Sequence, residues 1–246
     1  MPVEFIADLH IHTCLSPCAE LSMTPKGIIE KTASLGINIM AVCDHNSAEN
    51  IEVTKCLAKK KGVHVIAGME ICSSEEVHVL SLFKDTESSL KMQEVVYKNL
   101  QPGENDEEAF GMQVIVNEDN EVLSFNRRLL IGATSLSVNK VVDTIHSFGG
   151  IAIASHIDRD VFGIIGQLGF IDPDFKFDAL EISFRTDFHE AQKRYGLYSR
   201  IPWISASDAH RIEDIGRRTT RLFMYHSTFE ELCLALISAD GRTVTF

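Results

Sequence analysis

Basic residues are scarce: 23 lysines and arginines stand against 35 aspartates and glutamates, a formal net charge of −12. A chain that tracks nucleic-acid phosphates by charge needs a basic footprint, so no general nucleic-acid binding is expected. A small phosphorylated substrate or a nucleotide stays open as a partner, because bound divalent cations reverse the local field. Long apolar runs are missing too. No stretch of about 18 uncharged apolar residues occurs, so no membrane span is expected. The start, MPVEFIADLH, has no basic segment followed by an apolar one, which argues against a secretory signal and for a cytoplasmic protein. In that compartment the six cysteines should be reduced, and their irregular spacing suggests no disulfide framework.

What the chain does have is an alternation of strand and helix signals. Its 246 residues suit one large α/β domain. VEFIADL reads as a first strand, and Thr24 with Pro25 behind it reads as an N-cap and first helical residue opening PKGIIEKTASLG. INIMAVC is a continuous apolar run, the pattern of a strand covered on both faces. Ser47 is expected to start the next helix, and VHVIAG, EVHVLSLF, IAIASH, DALEISF and PWISASD follow as further strands. Seven strands alternating with helices predict a parallel sheet closed into a distorted (β/α)7 barrel, with an open doubly wound sheet as the alternative. Residues 84–134 break the rhythm. They carry an acidic patch and a hairpin pattern, MQVIVNEDNEVLSF, with its turn at Glu118–Asn120, and read as an insertion on the rim of a single 1–246 domain.

The ligand-type side chains collect at the ends of these strands. His10 and His12 end the first, Asp44 and His45 the second, and Glu70 the third. His78 lies in the fourth, His156 ends the fifth, and Asp208 with His210 ends the seventh. Active sites of barrels and open α/β sheets are built at the carboxyl ends of strands. Histidines packed only for structure would not favour that edge. Mixed nitrogen and carboxylate donors suit zinc, manganese or iron better than calcium. The donors outnumber the needs of one ion, so two or three divalent metals are expected, with Glu70 as a bridging carboxylate.

DLHIHT, CDHN, GME followed by EVHVLSLF, SHID and SDAH together resemble, in order, the motifs of the polymerase and histidinol phosphatase (PHP) superfamily. The resemblance covers residues 8 to 210. It implies a distorted (β/α)7 barrel, a trinuclear metal centre and hydrolysis of phosphate esters. By that resemblance His10, His12, Glu70 and Asp208 hold a first metal. Glu70, His78 and His156 hold a second, and His45 and His210 a third. One position departs: where many relatives place a further histidine or acid, this chain has CLSPCAE, and Cys18 is the candidate substitute. A thiolate there favours zinc or ferrous iron over magnesium; the competing reading leaves the third site weak or empty.

Other roles follow from chemistry. Glu70, Asp208 and Asp44 are the acids assigned to the catalytic machinery, with Asp44 receiving an imidazole N–H and fixing a tautomer. Asp8 is expected to do the same for a neighbour or to form a structural salt bridge. Arg159 and Arg185 lie on expected active-face loops and are candidates for phosphate binding, and Arg127 and Arg128 can lean over the mouth from the insertion. His64 and His146 read as ordinary strand and helix residues, and Cys43 and Cys72 as packing. Three alternatives stand beside the phosphoesterase. They are a local Cys₂His₂ zinc site of His10, His12, Cys14 and Cys18, a binuclear amide or lactone hydrolase, and a metal-stabilised regulatory module without catalysis.

Overall fold

The computed structural model describes residues 1–246. Its strands are β1 (Val3–Ile11), β2 (Ile39–Val42), β3 (His64–Cys72), β4 (His78–Phe83), β5 (Val114–Val116), β6 (Val122–Phe125), β7 (Ile151–Ala154), β8 (Ala179–Ile182), β9 (Trp203–Ser205), β10 (Thr220–Met224) and β11 (Thr243–Thr245). Its helices are α1 (Pro25–Ser34), α2 (Ile51–Ala58), α3 (Thr86–Asn99), α4 (Glu107–Phe110), α5 (Val138–Ser147), α6 (Ile164–Leu168), α7 (Phe188–Tyr195) and α8 (Phe229–Leu236). No helix is long and apolar enough to cross a membrane.

Nine strands form one sheet in the order β11-β10-β1-β2-β3-β4-β7-β8-β9, and it curls into a nearly closed barrel. A parallel bridge between Ile11 and Ala209 joins the chain beyond β9 to the top of β1, while β10 pairs antiparallel with the lower half of β1. All seven expected strands are present. The sheet is not all-parallel, however: β4 runs antiparallel to both β3 and β7. The reason is local, since only the turn Ser73–Val77 separates β3 from β4, too short for a helical crossover.

The inward register explains the interior. Ile39 and Ala41 of β2, Ile66 of β3, Leu80 and Leu82 of β4, Ile153 of β7 and Ile204 of β9 meet in one buried apolar cluster. Helix α8 closes the bottom of that cluster with Phe229, Leu232, Ala235 and Leu236. Gly68 is the inward residue between Ile66 and Glu70. A Cβ there would lie 2.8 Å from Cys43 Sγ and from Val42 O, so only glycine lets β2 and β3 pack this closely. A second apolar cluster lies outside the sheet, under the helices, and contains the alternate residues Val65, Ala67, Met69 and Ile71 of β3.

Helix α1 begins as expected, with Thr24 Oγ1 accepting the Gly27 N–H at 3.2 Å and Pro25 in the first turn. Helix α2 does not start at Ser47. Its N-cap is Asn50, and the polar side chains between serve other ends: Ser47 Oγ meets Tyr97 Oη at 2.8 Å, and Asn50 Nδ2 donates to Thr13 Oγ1 and to Val114 O at 3.0 Å each. Within residues 84–134, α3 sends Met92 and Val96 into the outer core. The β5–β6 hairpin turns through Glu118–Asn120 and docks on the loop after β1, where Val114 N donates to Cys14 O at 2.9 Å.

Candidate metal centre

The upper end of the barrel interior changes from apolar to polar without leaving the strands. On β3 the inward series Ile66, Gly68 ends in Glu70; on β4 the series Leu82, Leu80 ends in His78. His78 begins its strand rather than ending it, but β4 is reversed, so its amino end lies on the face where the parallel strands finish. Strand β1 needs one more device. Leu9 packs in the inner cluster and Ile11 in the outer one, and the pairing with β2 slips between Asp8 and Ile11. That bulge switches the inward parity, so that His10 and His12 point into the mouth.

The side chains converge tightly. Three groups of donor atoms lie within metal-binding reach of one another: His10, His12 and Asp208; His45, Glu70 and His78; and His12, His45 and His210. Glu70 is the hub, with Oε1 3.0 Å from His78 Nδ1, 3.2 Å from His156 Nε2 and 3.4 Å from His10 Nε2, and Oε2 3.1 Å from His45 Nδ1. Asp208 Oδ1 lies 3.2 Å from His12 Nε2, and its Oδ2 is held 2.6 Å from Arg159 Nη2. Cys18 Sγ lies 3.2 Å from His45 Nε2 at the exposed rim. A cavity of about 220 Å³ is lined by Cys18, His45, Glu70, His78, His156, Asp208 and His210, together with Arg159, Ile131 and Phe162.

Hydrogen bonds set the tautomers. Ser16 Oγ donates to Asp44 Oδ1 at 2.7 Å, so it can only accept from His12 Nδ1, 2.9 Å away. His12 Nε2 therefore carries a bare lone pair. His10 Nδ1 lies 3.1 Å from Glu181 Oε2, and its Nε2 is 3.1 Å from that of His12. A proton on His10 Nε2, or a metal ion in its place, relieves the contact between these two nitrogens. Burial disfavours charge on His10, but Glu181, Glu70 and Asp208 together raise its pKa well above the ordinary value. Burial, then His210 and His45, push His12 well below it. Nδ1 of His156 is buried without a hydrogen-bond partner, and Nδ1 of His78, although 3.0 Å from Glu70 Oε1, makes no aligned hydrogen bond. The donor set thus fits divalent cations of the zinc, manganese and iron type.

Several expectations change in detail. Asp44 receives no imidazole N–H. Its oxygens take Thr13 N, Thr13 Oγ1 and Ser16 Oγ at 2.7 Å each, and it reaches His12 only through Ser16. Asp8 caps backbone instead, accepting from Ser207 N and Gly216 N at 3.0 Å, and burial raises its pKa to about 6. Arg128 stacks on Tyr97, 4.1 Å from the ring centre, and neither it nor Arg127 reaches the cleft; Ile131 does. Arg185 lies in a neighbouring groove. His64 opens β3 and His146 pairs with Asp178 at 2.8 Å, both away from the site.

Glu181 on β8 was not among the expected residues. It is fully buried, takes the His10 ring and also accepts the His156 backbone N–H at 3.1 Å. Its one sequence signal is an acid inside the otherwise apolar run ALEI. Backbone strain gathers here as well: Asn46, His156, Phe162 and Asp208 all have positive φ, of 51°, 28°, 62° and 48°.

The PHP domain sequence profile matches residues 8–169. A 5′-3′ exoribonuclease of Haemophilus influenzae is 23% identical over an alignment of 188 positions, with 61% of this chain and 68% of that one covered. The lesion-specific endonuclease Q of Pyrococcus furiosus superposes with a TM-score of 0.76 at 20% identity, over 98% of this chain and 58% of the other. A complex of endonuclease Q with a 27-mer duplex substrate bearing an abasic lesion gives 0.75 with the same identity and coverage. At these identities the superpositions establish the fold, and this chain spans 58% of the endonuclease's length.

Proposed function

The chain belongs to the PHP domain family, and from that premise we propose that it is a metal-dependent phosphoesterase whose cleft binds two or three divalent cations. One observation carries the reading: Glu70 stands within 3.5 Å of five imidazoles, those of His10, His12, His45, His78 and His156. No apolar packing scheme gathers five imidazoles around one buried carboxylate; metal ligation does. His10, His12, Glu70 and Asp208 hold one cation, Glu70, His78 and His156 a second, and His45, His210 and Cys18 stand where a third belongs. Zinc, manganese or iron suits these donors. Such cations supply an acidified water and neutralise charge on the phosphate oxygens.

The chain's own residues prepare that chemistry. Glu181 and Ser16 fix the outward nitrogens of His10 and His12, leaving the inward ones free to ligate. Arg159 holds Asp208 in place and presents the rest of its guanidinium to the cleft, where a phosphate oxygen can take it. Ile131, from the segment 84–134, and Phe162 wall the mouth, so that this segment shapes substrate entry and limits water. A small phosphate ester or a nucleotide is the substrate this confined cleft and the net charge of −12 favour. A nucleic-acid end is the second reading, favoured by the similarity to an exoribonuclease and to endonuclease Q. The six free cysteines fit a cytoplasmic location.

The test is metal analysis of protein purified without chelator, joined to a panel of phosphomonoesters, phosphodiesters and short oligonucleotides. Two or more bound metals and turnover are expected. Fewer than two metals, with no turnover after manganese or zinc is added, would sink the proposal.

A further inference from the structure

The hairpin β5–β6 has one edge covered and the other bare. The barrel covers the outer edge of β5: Val114 N donates to Cys14 O at 2.9 Å, Val116 N to Asn50 Oδ1 at 3.2 Å, and Asn50 Nδ2 to Val114 O at 3.0 Å. The outer edge of β6 has no such cover. Val114 stands opposite Phe125, and the adjoining pair is closed by Asn126 N donating to Gln113 O at 2.9 Å. Backbone groups alternate in direction along an antiparallel ladder, so the N–H and C=O of Phe125 point away from β5. Val122 stands opposite Val116, whose N–H also turns away from β6, and the backbone of Val122 therefore faces outward as well. A register slip leaves both Leu123 and Ser124 between these two outward residues.

The side chains on this edge are apolar and exposed: Val122 is 52%, Leu123 64% and Phe125 41% accessible. Val122 and Phe125 also line a hollow of about 180 Å³ together with Leu21 and Met112, which are exposed in turn. A lone two-stranded hairpin is marginal in water, and a bare apolar strand edge is a template for another strand. Charge says which strand fits. Asp119 and Glu121 precede β6 and Arg127 follows it; all three are exposed, and none is in an ion pair. The strand thus runs from an acidic end to a basic one, and its own antiparallel copy is its electrostatic complement. A lipid or nucleic-acid surface would meet the same apolar side chains but leave the outward backbone groups unused.

We propose that β6 is the contact of a homodimer, in which the β6 strands of two copies pair antiparallel about a two-fold axis. Val122 then lies opposite Phe125 of the second copy, each exchanging its outward N–H and C=O, and the spacings match because both strands carry the same slip. Residues directly opposite share a face of the sheet, so the hollows under Val122 and Phe125 join into one apolar seam. The acidic end of each strand comes beside Arg127 of the other. The result is a four-stranded sheet with a barrel covering each outer edge, so the assembly stops at two copies. It braces the segment that supplies Ile131 to the metal cleft and docks on the loop after β1.

Sedimentation velocity of the full chain from about 1 to 300 µM tests this. The wild type should pass from monomer to dimer within that range, as expected of a small interface, and nothing larger should form. Phe125→Lys places a charge on the pairing edge and should raise the dissociation constant about tenfold or more, with the melting profile of the monomer unchanged. Arg127→Glu and Asp119→Lys should each weaken self-association, since each brings like charges together across the two-fold axis. Their equimolar mixture should dimerise about as tightly as the wild type, because both contacts regain opposite charges. That rescue reads the register itself and does not depend on how either variant folds alone. A wild type that stays monomeric throughout would overturn the proposal, and its co-sedimentation with phosphatidylcholine vesicles would assign the patch to a lipid surface instead. A dimer indifferent to Phe125→Lys, or a mixture no tighter than the separate variants, would also overturn it.

Discussion

Ile66 and Glu70 face the barrel interior from one strand, four residues apart, and their surroundings could hardly differ more. Around Ile66 the strands present aliphatic side chains, closed from below by Leu232 and its neighbours on α8. Around Glu70 stand imidazoles and, through them, Asp208 and Glu181, with lone pairs facing one another across about 3 Å. The lower interior is apolar area removed from water, the usual source of stability. The upper interior is desolvated charge that Arg159 only partly balances. Strained backbone lies at the upper end too, at His156, Phe162 and Asp208. One barrel therefore carries both a device for stability and one assembled against it, the lower part and the outer core holding the upper part in place.

The sharpest way to break this contrast is to change the hub. Glu70→Gln removes the carboxylate shared among five imidazoles. Phosphoesterase activity should fall about 10²-fold or more, with loss of bound metal. The fold should persist, but the metal-free protein should melt below the wild type, because the buried imidazoles lose the carboxylate that offsets their charge. Wild-type turnover at saturating metal would remove Glu70 from the centre.

Leu232→Ala attacks the other half. Leu232 is fully buried among the inner-cluster strands, and its truncation should cost about 2–5 kcal/mol, read as a shift of the denaturant midpoint. Metal content and kcat of the folded fraction should be retained. Loss of metal affinity without loss of stability would mean that the two regions are not separable.

A smaller effect is expected at their boundary. Glu181 touches no cation position itself but receives the His10 ring and the His156 N–H. Glu181→Gln keeps the shape and removes the charge, and metal affinity should drop about 10–100-fold by competition titration with a chelator. The fold should persist, with an unchanged melting profile in saturating metal. Unaltered affinity would make Glu181 a packing residue only.

These variants follow the line between what could be read in the sequence and what could not. The strands were legible because each is an apolar run bounded by turn residues, and Glu70, His78, His156 and Asp208 were legible because their residue types sit at such ends. Three things were hidden. The parity switch in β1 comes from a bulge that a regular strand pattern does not encode, although it decides where His10 and His12 point. The reversal of β4 depends on a tight turn at Ser73–Val77, which also places His78 on the correct face from the opposite end of its strand. The imidazole partner expected at Asp44 is Glu181 instead: the acid beside a ligand histidine works through Ser16, and the acid buried in ALEI, for which no role was expected, grips an imidazole. Side-chain hydrogen bonds across strands far apart in sequence settled both cases. Local spacing contains none of that information.

The gentlest test concerns how each half neutralises its carboxylates. Below the barrel, Glu231 on α8 is gripped by Arg242, whose Nε and Nη2 reach its two oxygens at 2.8 Å, and it also accepts the Tyr225 N–H at 2.9 Å. The Arg242 hydrogen bonds lower its pKa from the ordinary 4.5 to about 2, against the opposing effect of burial. A carboxyl depressed in the folded state stabilises above its unfolded pKa and loses that contribution as pH falls toward its folded one. The wild type should therefore melt above Glu231→Gln at pH 6, with the gap shrinking steadily below pH of about 4.5 as the unfolded carboxyl takes up its proton. Thermal melts of both proteins at half-unit pH steps measure the gap directly. A gap that stays constant down to pH of about 3 would show that Arg242 acts by packing along α8 rather than by charge, and that the lower half of the barrel does not depend on an ion pair at all.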